Sequence, residues 1–417
     1  MTKLFHQTCS APIFRRSAKS TIHIPSHRAD LSAQVDALCK GIALGHSIHA
    51  SPDGIAIRSP EDAMDGQWLY CQSSGSTGRA KTIRRRPASW IASFDVTAAR
   101  FGVGPEDTYA VLGALSHSLT LYGLMEAMHL GADCHCLSGL KPRSQYAVLQ
   151  SGAVSVVYAT PSQLRLMLET KSTDKTGKAE AEAVRLIFCG GGKLDEPTRL
   201  GLKRRFPGAA LYEFYGASET SFITIWDEST PAGSVGRAYP GVDLRIGEAS
   251  EPAQDGVGDI WVRSPYLFDG YEGPDSGDTR WQDGWVSVGE MGALDETGNL
   301  FLKGRRSRMV TIADQNVFLE DAEAVLLADP RVRLCAVLAE TDRVRGHVLV
   351  GVVEVADGSI ADGALAEALV SLGRAALGPL AAPRQIRFID AMPMLASGKP
   401  DLKTLELWLQ QRQEACQ

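Results

Sequence analysis

The sequence predicts an α/β protein with a large layered N-terminal domain, a small β-rich subdomain and a compact α+β C-terminal domain. From Trp68 onward, short apolar runs alternate with helical patterns, which is typical of a parallel sheet covered by helices. Short strand-like segments with alternating residues dominate 233–271. After Arg308 the helix and strand patterns start anew, which indicates a further domain.

The N-terminal elements follow from apolar runs and turn residues. The predicted strands are 154–158 and 184–189, the predicted helices are 91–101, 121–130 and 161–170, and polar stretches at 171–181 and 248–258 are predicted surface loops. In the C-terminal part, helices are predicted at 319–328 and 363–376 and strands at 332–338, 348–355 and 386–389. A boundary near 304–310 therefore divides the chain into domains 1–307 and 308–417.

Composition narrows the function classes. The 417 residues carry a net charge of −6, which indicates no global attraction to nucleic acid. No apolar run approaches the roughly 18 to 20 residues that span a bilayer. Eight scattered cysteines without a CxxC pair favour free thiols in a reduced, cytoplasmic setting. The first 29 residues are basic and lack acidic residues, so an organelle presequence stays open beside a disordered start.

The sharpest local signal is a glycine-rich segment after the apolar run 68–70. It reads Ser73-Ser74-Gly75-Ser76-Thr77-Gly78-Arg79-Ala80-Lys81-Thr82. Glycines let backbone N–H groups converge, hydroxyls add donors, and a lysine supplies a compact positive charge. These groups suit a polyphosphate.

A nucleoside-triphosphatase loop is the rival interpretation of this segment. Its G-x-x-x-x-G-K-S/T spacing nearly fits Gly75 to Thr82, with Ala80 at the second glycine. That loop opens directly into a helix, whereas this segment runs on to Pro87. No apolar strand ending in a magnesium-binding aspartate is evident either. The alternative stays open.

The segment resembles the T-S-G-S/T-T-G-x-P-K-G signature of adenylate-forming enzymes, the superfamily of acyl-CoA synthetases, peptide-synthetase adenylation domains and luciferases. Other segments resemble further motifs of this superfamily, in its order. They are Cys189-Gly190-Gly191-Gly192-Lys193-Leu194, Tyr215-Gly216-Ala217-Ser218-Glu219, Gly236-Arg237-Ala238-Tyr239-Pro240-Gly241, Gly258-Asp259-Ile260 with Gly270-Tyr271, Asp283-Gly284-Trp285-Val286-Ser287-Val288-Gly289-Glu290, Gly304-Arg305 and Ser397-Gly398-Lys399. The resemblance covers roughly residues 68 to 408 and implies a mobile C-terminal domain.

The resemblance implies that a carboxylate attacks the α-phosphate of ATP to give an acyl-adenylate and pyrophosphate. The residues that would hold the β- and γ-phosphates are Ser73, Ser74, Gly75, Ser76, Thr77, Gly78 and Lys81. Glu219 would bind Mg²⁺, a hard cation that prefers carboxylate oxygen. Ser218 would contact the α-phosphate, and Lys399 would bridge the carboxylate and phosphate oxygens as a point charge.

The resemblance also places the nucleoside and the acyl group. Tyr215 would stack on adenine, Glu290 and Arg305 would contact the ribose, and Gly190, Gly191 and Gly192 would lie behind the base. His117 resembles the residue at the acyl pocket, although a structural histidine is an almost equal alternative. The other candidate pocket walls are Tyr122, Tyr158, Phe188 and Phe214, which suit either an aryl or an aliphatic acid.

The implied function is an acyl- or aryl-CoA ligase that uses ATP, Mg²⁺ and CoA. A ligase that loads an acyl carrier protein or an amine is the alternative within the superfamily. A P-loop NTPase and a non-catalytic nucleotide-binding module are the alternatives outside it. A homodimer stays open.

Departures from the superfamily pattern concern the loop, the ribose contact and the hinge. Ala80 and Thr82 replace a proline and a glycine, and Glu290 replaces an aspartate. Arg308 replaces an acidic or lysine hinge residue, and Ala313-Asp314 replaces a glycine pair, so thioester formation is in more doubt than adenylation. About 70 residues precede the loop, fewer than the 150 or more usual in relatives.

We predict that Lys399→Ala abolishes adenylation and leaves thioester formation from pre-made adenylate largely intact, because the lysine charge acts while the carboxylate and phosphate approach. Separate assays of ATP–pyrophosphate exchange and of adenylate consumption by CoA check this. Equal loss of both half-reactions contradicts the assigned role.

Overall fold

A computed structural model describes residues 12–59, 66–73, 81–170, 181–247, 256–273, 279–313, 315–394 and 400–414. Some sequence predictions lie outside these ranges: Ser74, Gly75, Ser76, Thr77, Gly78 and Lys399, and most of the two predicted loops. For Ser73 only the backbone is described. The six cysteines within the described ranges are free, as the sequence predicts.

The largest sheet has eight strands in the order β1-β7-β6-β8-β9-β10-β11-β12. Its strands are β1 (Ile22–His23), β6 (Thr108–Val111), β7 (Asp133–Cys136), β8 (Val156–Ala159), β9 (Leu186–Gly190), β10 (Ala210–Ala217), β11 (Ser221–Trp226) and β12 (Arg237–Ala238). The strands from β1 to β10 are parallel, and the last two pairings are antiparallel. The predicted strands 154–158 and 184–189 are confirmed as β8 and β9, each shifted by one or two residues.

Helices cover both faces of this sheet. They are α2 (Pro87–Phe101), α3 (Ser118–Leu130), α4 (Pro142–Gln150), α5 (Pro161–Leu168) and α6 (Glu196–Arg205), whereas α1 (Ala29–Leu44) packs on the strands Ser47–Ser51 and Gly54–Arg58. Tyr158 and Phe188 point into the core that contains α2 and α3, whereas their neighbours Val157 and Ile187 point into the core of α4 to α6. Alternate residues of a strand face opposite sides, and covered parallel strands are apolar on both.

A second sheet of five strands has the order β15-β5-β4-β2-β3. Its strands are β2 (Ser47–Ser51), β3 (Gly54–Arg58), β4 (Leu69–Ser73), β5 (Lys81–Arg85) and β15 (Gly270–Glu272). The basic segment after the glycine-rich loop is thus a strand, and α2 begins only at Pro87. A nucleoside-triphosphatase loop would continue into a helix at Lys81, so the observed strand contradicts that alternative.

The predicted β-rich subdomain is confirmed as a six-stranded sheet in the order β16-β17-β14-β18-β19, with β13 paired to β14. It extends to Arg305, beyond the predicted 233–271, and Gly270-Tyr271 belongs to the second sheet instead. Its strands are β13 (Asp243–Ile246), β14 (Gly258–Arg263), β16 (Arg280–Gln282), β17 (Trp285–Ser287), β18 (Glu290–Leu294) and β19 (Leu300–Arg305). Buried Asp259 of β14 receives hydrogen bonds from Arg280 and Arg306, which tie this sheet to the segment after β19.

The C-terminal elements form a compact α+β unit with its own apolar core. They are β20 (Met309–Ile312), β21 (Gln315–Phe318), α7 (Leu319–Leu327), β22 (Val332–Asp342), β23 (Gly346–Val355), α8 (Gly363–Ala381), β24 (Gln385–Phe388) and α9 (Leu402–Glu414). All five predicted C-terminal elements are present with shifted ends. The largest difference is at α8, where Gly378, with a φ of 79° and a ψ of 172°, interrupts the helical backbone and a short helical segment beginning near Pro379 follows the predicted helix.

Within the described residues, α8 is the one helix long and apolar enough to cross a membrane, with a mean hydropathy of 1.3. Its buried residues Leu365 and Leu369 pack into the C-terminal core, while Glu367 and Arg374 are exposed. This spacing is typical of an amphipathic helix packed on a sheet.

Glu126 on α3 carries a carboxyl group with no exposed area, in the core between α2, α3 and the large sheet. The Tyr122 hydroxyl donates to its Oε1 at 3.3 Å, and the Tyr158 hydroxyl donates to its Oε2 at 2.7 Å. Burial raises the pKa of Glu126 to about 7, since an apolar interior disfavours the charged form. The protonated side chain is therefore the form that the fold favours.

We predict that Glu126→Gln flattens the pH dependence of stability. The unfolded carboxyl ionises near pH 4.5 and the folded one near pH 7, so the wild-type free energy of unfolding falls by about 3 kcal/mol as pH rises through this window. Glutamine keeps the shape and does not ionise. Denaturant titrations at several pH values check this, and parallel curves for the two proteins would contradict it.

Candidate active site

The hairpin between β10 and β11 carries the segment Tyr215 to Ser221. Its turn is tight: a Cβ on Gly216 would lie 1.9 Å from the carbonyl oxygen of Ser221. Ser221 itself adopts a φ of 57°, which is uncommon for a residue other than glycine. Glycine at position 216 therefore lets the two strands close, and the turn presents Ser218 and Glu219 together.

Glu219 is 9% exposed and lies beside Tyr271 of β15. The Tyr271 hydroxyl donates to Glu219 Oε1 at 2.9 Å and lies 2.7 Å from Thr279 Oγ1. Lys81 Nζ lies 5.3 Å from the centroid of the Tyr271 ring. The predicted metal carboxylate and the predicted phosphate lysine thus both contact Tyr271, a residue that the sequence analysis placed in a motif and gave no role.

Strand pairing explains this meeting. β5 pairs with β15, so that Ile83 faces Tyr271 and Thr82 faces Glu272. Lys81 at the start of β5 therefore lies beside the Tyr271 ring, whose electron-rich face attracts an ammonium. Of the predicted phosphate-loop residues, Lys81 is the one whose side chain the structure describes.

Ser218 meets the first turn of α3. Its Oγ lies 3.1 Å from Oγ of Ser118, the first residue of that helix, and Ser118 Oγ lies 3.5 Å from Cys71 Sγ on β4. His117 precedes the helix, is exposed, and pairs with Gln72 through its backbone. Ser118 was not predicted, although its place beside His117 was the available signal.

Arg85 lies behind the turn at the end of β5. Its Nη2 donates to the carbonyl oxygen of Ser218, and its Nη1 donates to Ser221 Oγ at 2.8 Å and to the carbonyl oxygen of Tyr266 at 3.3 Å. The guanidinium also covers the Trp90 ring at 5.0 Å. Arg85 is the middle residue of a run of three arginines, a composition typical of a solvated surface. The structure shows instead that Arg85 is 1% exposed.

The residues predicted to contact the nucleoside lie together. The Tyr215 hydroxyl donates to Glu290, and Arg305 Nη2 lies 3.5 Å from Glu290 Oε1. Glu290 on β18 and Arg305 on β19 are directly paired across the ladder. Burial, together with the Glu290 carboxylate, raises the pKa of Tyr215 well above its ordinary value. Their contacts with a nucleoside stay predictions.

The predicted glycine run follows β9 at the same edge of the large sheet. Gly190 ends β9 and pairs with Phe214 of β10, and Gly191 and Gly192 are exposed beyond it. Gly191 has a φ of 89°, a conformation that favours glycine. The run thus leaves a side-chain-free surface one strand away from Tyr215.

The four predicted aromatic pocket walls form one buried row. Ring centroids lie 5.9 Å apart for Tyr122 and Tyr158, 4.9 Å for Tyr158 and Phe188, and 5.5 Å for Phe188 and Phe214. Each is 3% exposed or less, whereas His117 is at the surface. Their role as acyl-pocket walls stays a prediction, and the structure adds that these rings pack mainly on one another.

The described side chains do not form a complete protein-only site for Mg²⁺. Within the described residues, no group of three or more His, Cys, Asp or Glu side chains could hold a metal ion. Mg²⁺ is commonly held by one or two carboxylates, with substrate phosphates and water as the other ligands. Glu219, which contacts Tyr271 as Lys81 does, is the carboxylate that the sequence predicts for this ion, and that role stays a prediction.

Comparison with known proteins is consistent with this geometry. The AMP-binding enzyme family matches residues 24–272, and the AMP-binding enzyme C-terminal domain matches residues 321–399. An uncharacterised acyl-CoA ligase of Bacillus subtilis, YhfT, is 31% identical over 348 residues, which is 81% of this chain and 68% of the relative.

Two further similarities are with 2-succinylbenzoate ligases. The chloroplastic/peroxisomal 2-succinylbenzoate–CoA ligase of Arabidopsis thaliana is 26% identical over 321 residues, 71% of this chain and 57% of the relative. The structure of o-succinylbenzoate CoA synthetase from Bacillus subtilis with its acyl-adenylate superposes with a TM-score of 0.70 at 22% identity, covering 81% of this chain and 68% of that one. At this identity the superposition shows a shared fold.

We predict that Glu219→Gln raises the Mg²⁺ concentration needed for half-maximal turnover at least tenfold, because an amide oxygen binds a hard cation more weakly than a carboxylate. A magnesium titration of pyrophosphate release checks this. Glu228→Gln, at an exposed carboxylate, is the control and should behave as wild type. An unchanged magnesium requirement in Glu219→Gln would overturn the metal assignment.

Proposed function

Since the chain belongs to the AMP-binding enzyme family, we propose that it joins a carboxylic acid to the thiol of CoA, using ATP and passing through an acyl-adenylate. The observation that carries this proposal is the meeting of Lys81 and Glu219 at Tyr271, next to Ser218. Tyr215, Glu290 and Arg305 support it as a polar group suited to a nucleoside.

In the first half-reaction, a carboxylate oxygen forms a bond to the α-phosphorus of ATP and the bond to pyrophosphate breaks. Both reactants are anionic, so positioning and charge neutralisation account for most of the catalysis. Lys81 would hold the leaving phosphates, Ser218 would donate to the α-phosphate, and Lys399 would neutralise the approaching oxygens. Mg²⁺, when bound at Glu219, would supply further positive charge to the phosphate oxygens.

In the second half-reaction, the CoA sulfur attacks the acyl carbon and AMP leaves. Ala313 bears on this step because it stands where relatives have glycine. It adopts a φ of 45°, so the backbone takes a glycine-like conformation despite the methyl group. This supports retention of the segment's shape. CoA is favoured over a carrier protein or an amine as acceptor because the curated relatives are named as CoA ligases.

The division into domains 1–307 and 308–417 is part of the proposal. Arg306 binds Asp259 of the β-rich subdomain, whereas Arg308 binds Glu323 of α7 at 2.7 Å and the carbonyl oxygen of Val337 at 2.9 Å. The two arginines flank Ser307 and are thus held by different units. This arrangement favours a boundary at Ser307.

The remaining assignments are proposals of the same kind. A small carboxylic acid is the proposed substrate, and cytoplasm is the proposed location. Nucleic acid is not an expected partner, because the net charge is −6. A homodimer remains an option that oligomeric-state measurements can decide.

The deciding experiment is ATP–pyrophosphate exchange over a panel of aryl and short or medium aliphatic carboxylates. We expect at least one acid to give exchange, and that acid with CoA to give the thioester and AMP. Lys81→Met should lower exchange at least tenfold, because the leaving phosphates lose a positive charge.

Two outcomes contradict the proposal in different ways. If every acid in the panel fails to elicit exchange, carboxylate activation is contradicted. If exchange occurs and thioester forms with a carrier protein or amide with an amine but not with CoA, only the acceptor is wrong. Lys203→Met, at an exposed lysine paired with Glu228, serves as the matched control and should leave exchange unchanged.

A further inference from the structure

A buried cation lies directly behind the turn that carries Ser218 and Glu219. Arg85 is 1% exposed, which is unusual because an arginine is rarely taken out of water without a carboxylate partner. In the part of the chain that the structure describes, its hydrogen bonds go to neutral oxygens: the carbonyls of Ser218 and Tyr266 and the hydroxyls of Ser89 and Ser221.

The shift in the pKa of Arg85 shows which groups interact with its charge. Burial lowers the pKa of Arg85, while Cys71, Glu219 and Asp269 oppose that effect. A guanidinium nevertheless stays protonated in proteins. The Cys71 thiol does not balance the charge, because burial raises its pKa and keeps it neutral. Glu219 is therefore a main source of opposing charge, and it is also the proposed magnesium ligand.

The contacts of Arg85 fix the shape of the turn as well as its potential. Nη1 ties Ser221, at a φ of 57°, to the segment before β15, and Nη2 ties the Ser218 carbonyl to β5. Trp90 covers the guanidinium face at 5.0 Å and is itself 2% exposed. Water is thus kept from the cation, and its field toward the turn is only weakly screened.

We propose that Arg85 is a positioning residue for adenylation, which holds the Ser218–Ser221 turn in place and supplies an incompletely balanced positive charge that favours binding of the ATP phosphates. This inference rests on the proposed function and adds to it a residue outside the phosphate loop. Among the described residues no carboxylate forms an ion pair with this guanidinium. Bound phosphates would add negative charge near it beyond that of Glu219 and Asp269, so ATP binding and the Arg85 charge would stabilise each other.

The test compares Arg85→Met, Arg85→Lys and Arg86→Met in the full chain. Arg86 is the matched control, because it is the next residue, its side chain is 64% exposed, and its charge lies by Asp269. We expect Arg85→Met to reduce the rise in melting temperature caused by ATP and Mg²⁺ by at least half, and to lower the adenylation rate at least tenfold. The KM for the carboxylate should change less than threefold.

Arg85→Lys should recover part of the ATP-induced shift, because it keeps the charge but makes fewer contacts. Arg86→Met should match wild type in both measurements. A folded Arg85→Met protein with the wild-type ATP shift and adenylation rate would overturn the proposal. Equal loss in Arg86→Met would overturn it as well, since the effect would then belong to any charge of this strand.

A second variant covers the case in which Arg85→Met does not fold. Ser221→Ala removes one acceptor of Arg85 and leaves the charge in place, and we expect it to lower adenylation three- to tenfold with an almost unchanged ATP shift. A wild-type rate in Ser221→Ala together with complete loss of the ATP shift in Arg85→Lys, which keeps the charge, would overturn the proposal. The ATP shift needs no carboxylate, so its dependence on Arg85 remains measurable even if the proposed acid activation fails.

Discussion

Antiparallel pairing between β5 and β15 sets the position of the groups around which the site is built. It places Lys81 next to Tyr271, and the hydroxyl of that tyrosine reaches Glu219 on the β10–β11 turn. A shift of one residue would turn Tyr271 to the other face of its sheet and separate the three side chains. The lysine, the carboxylate and the turn thus depend on one register, which backbone hydrogen bonds and the buried Ile83 maintain.

Glu126 and Arg85 are ionisable groups buried among the aromatic side chains of the N-terminal core, and they are stabilised there in different ways. Glu126 favours its neutral form, with tyrosine hydroxyls around it. Arg85 cannot lose its charge, so carbonyl and hydroxyl oxygens surround it. An apolar interior accepts polar groups when hydrogen bonds satisfy them. The Glu126 carboxyl therefore affects the stability of the fold, whereas the Arg85 guanidinium lies next to residues assigned to ATP.

Much of the fold was predictable from the sequence, because apolar runs at strand and helix periods determine which faces are buried. β8, β9, α7 and the C-terminal strands β22 to β24 were predicted from such patterns with shifts of a few residues, whereas β20 and β21 were not predicted. Motif order predicted Tyr215, Glu290 and Arg305 as nucleoside contacts, and the structure brings these three side chains together. Arg85 was missed because a run of three arginines has the composition of a solvated surface. Its burial depends on the alternation of side chains along β5 and on packing against the Trp90 ring. Ser118 and Tyr271 were missed as site residues because their partners are distant in sequence.

Arg306 and Arg308 are held by opposite units, and this has a mechanical consequence. The ion pairs to Asp259 and Glu323 act as two clamps separated by one residue. A swing of one unit against the other that keeps both ion pairs would use the backbone torsions around Ser307, and it would also have to break the hydrogen bond from the Arg305 amide to Glu320 Oε1. A change in those torsions would move the distant end of the C-terminal unit much farther than the end next to Ser307. Because an ion pair holds the chain on each side of Ser307, such a motion would be a rotation of one unit rather than a loosening of the chain.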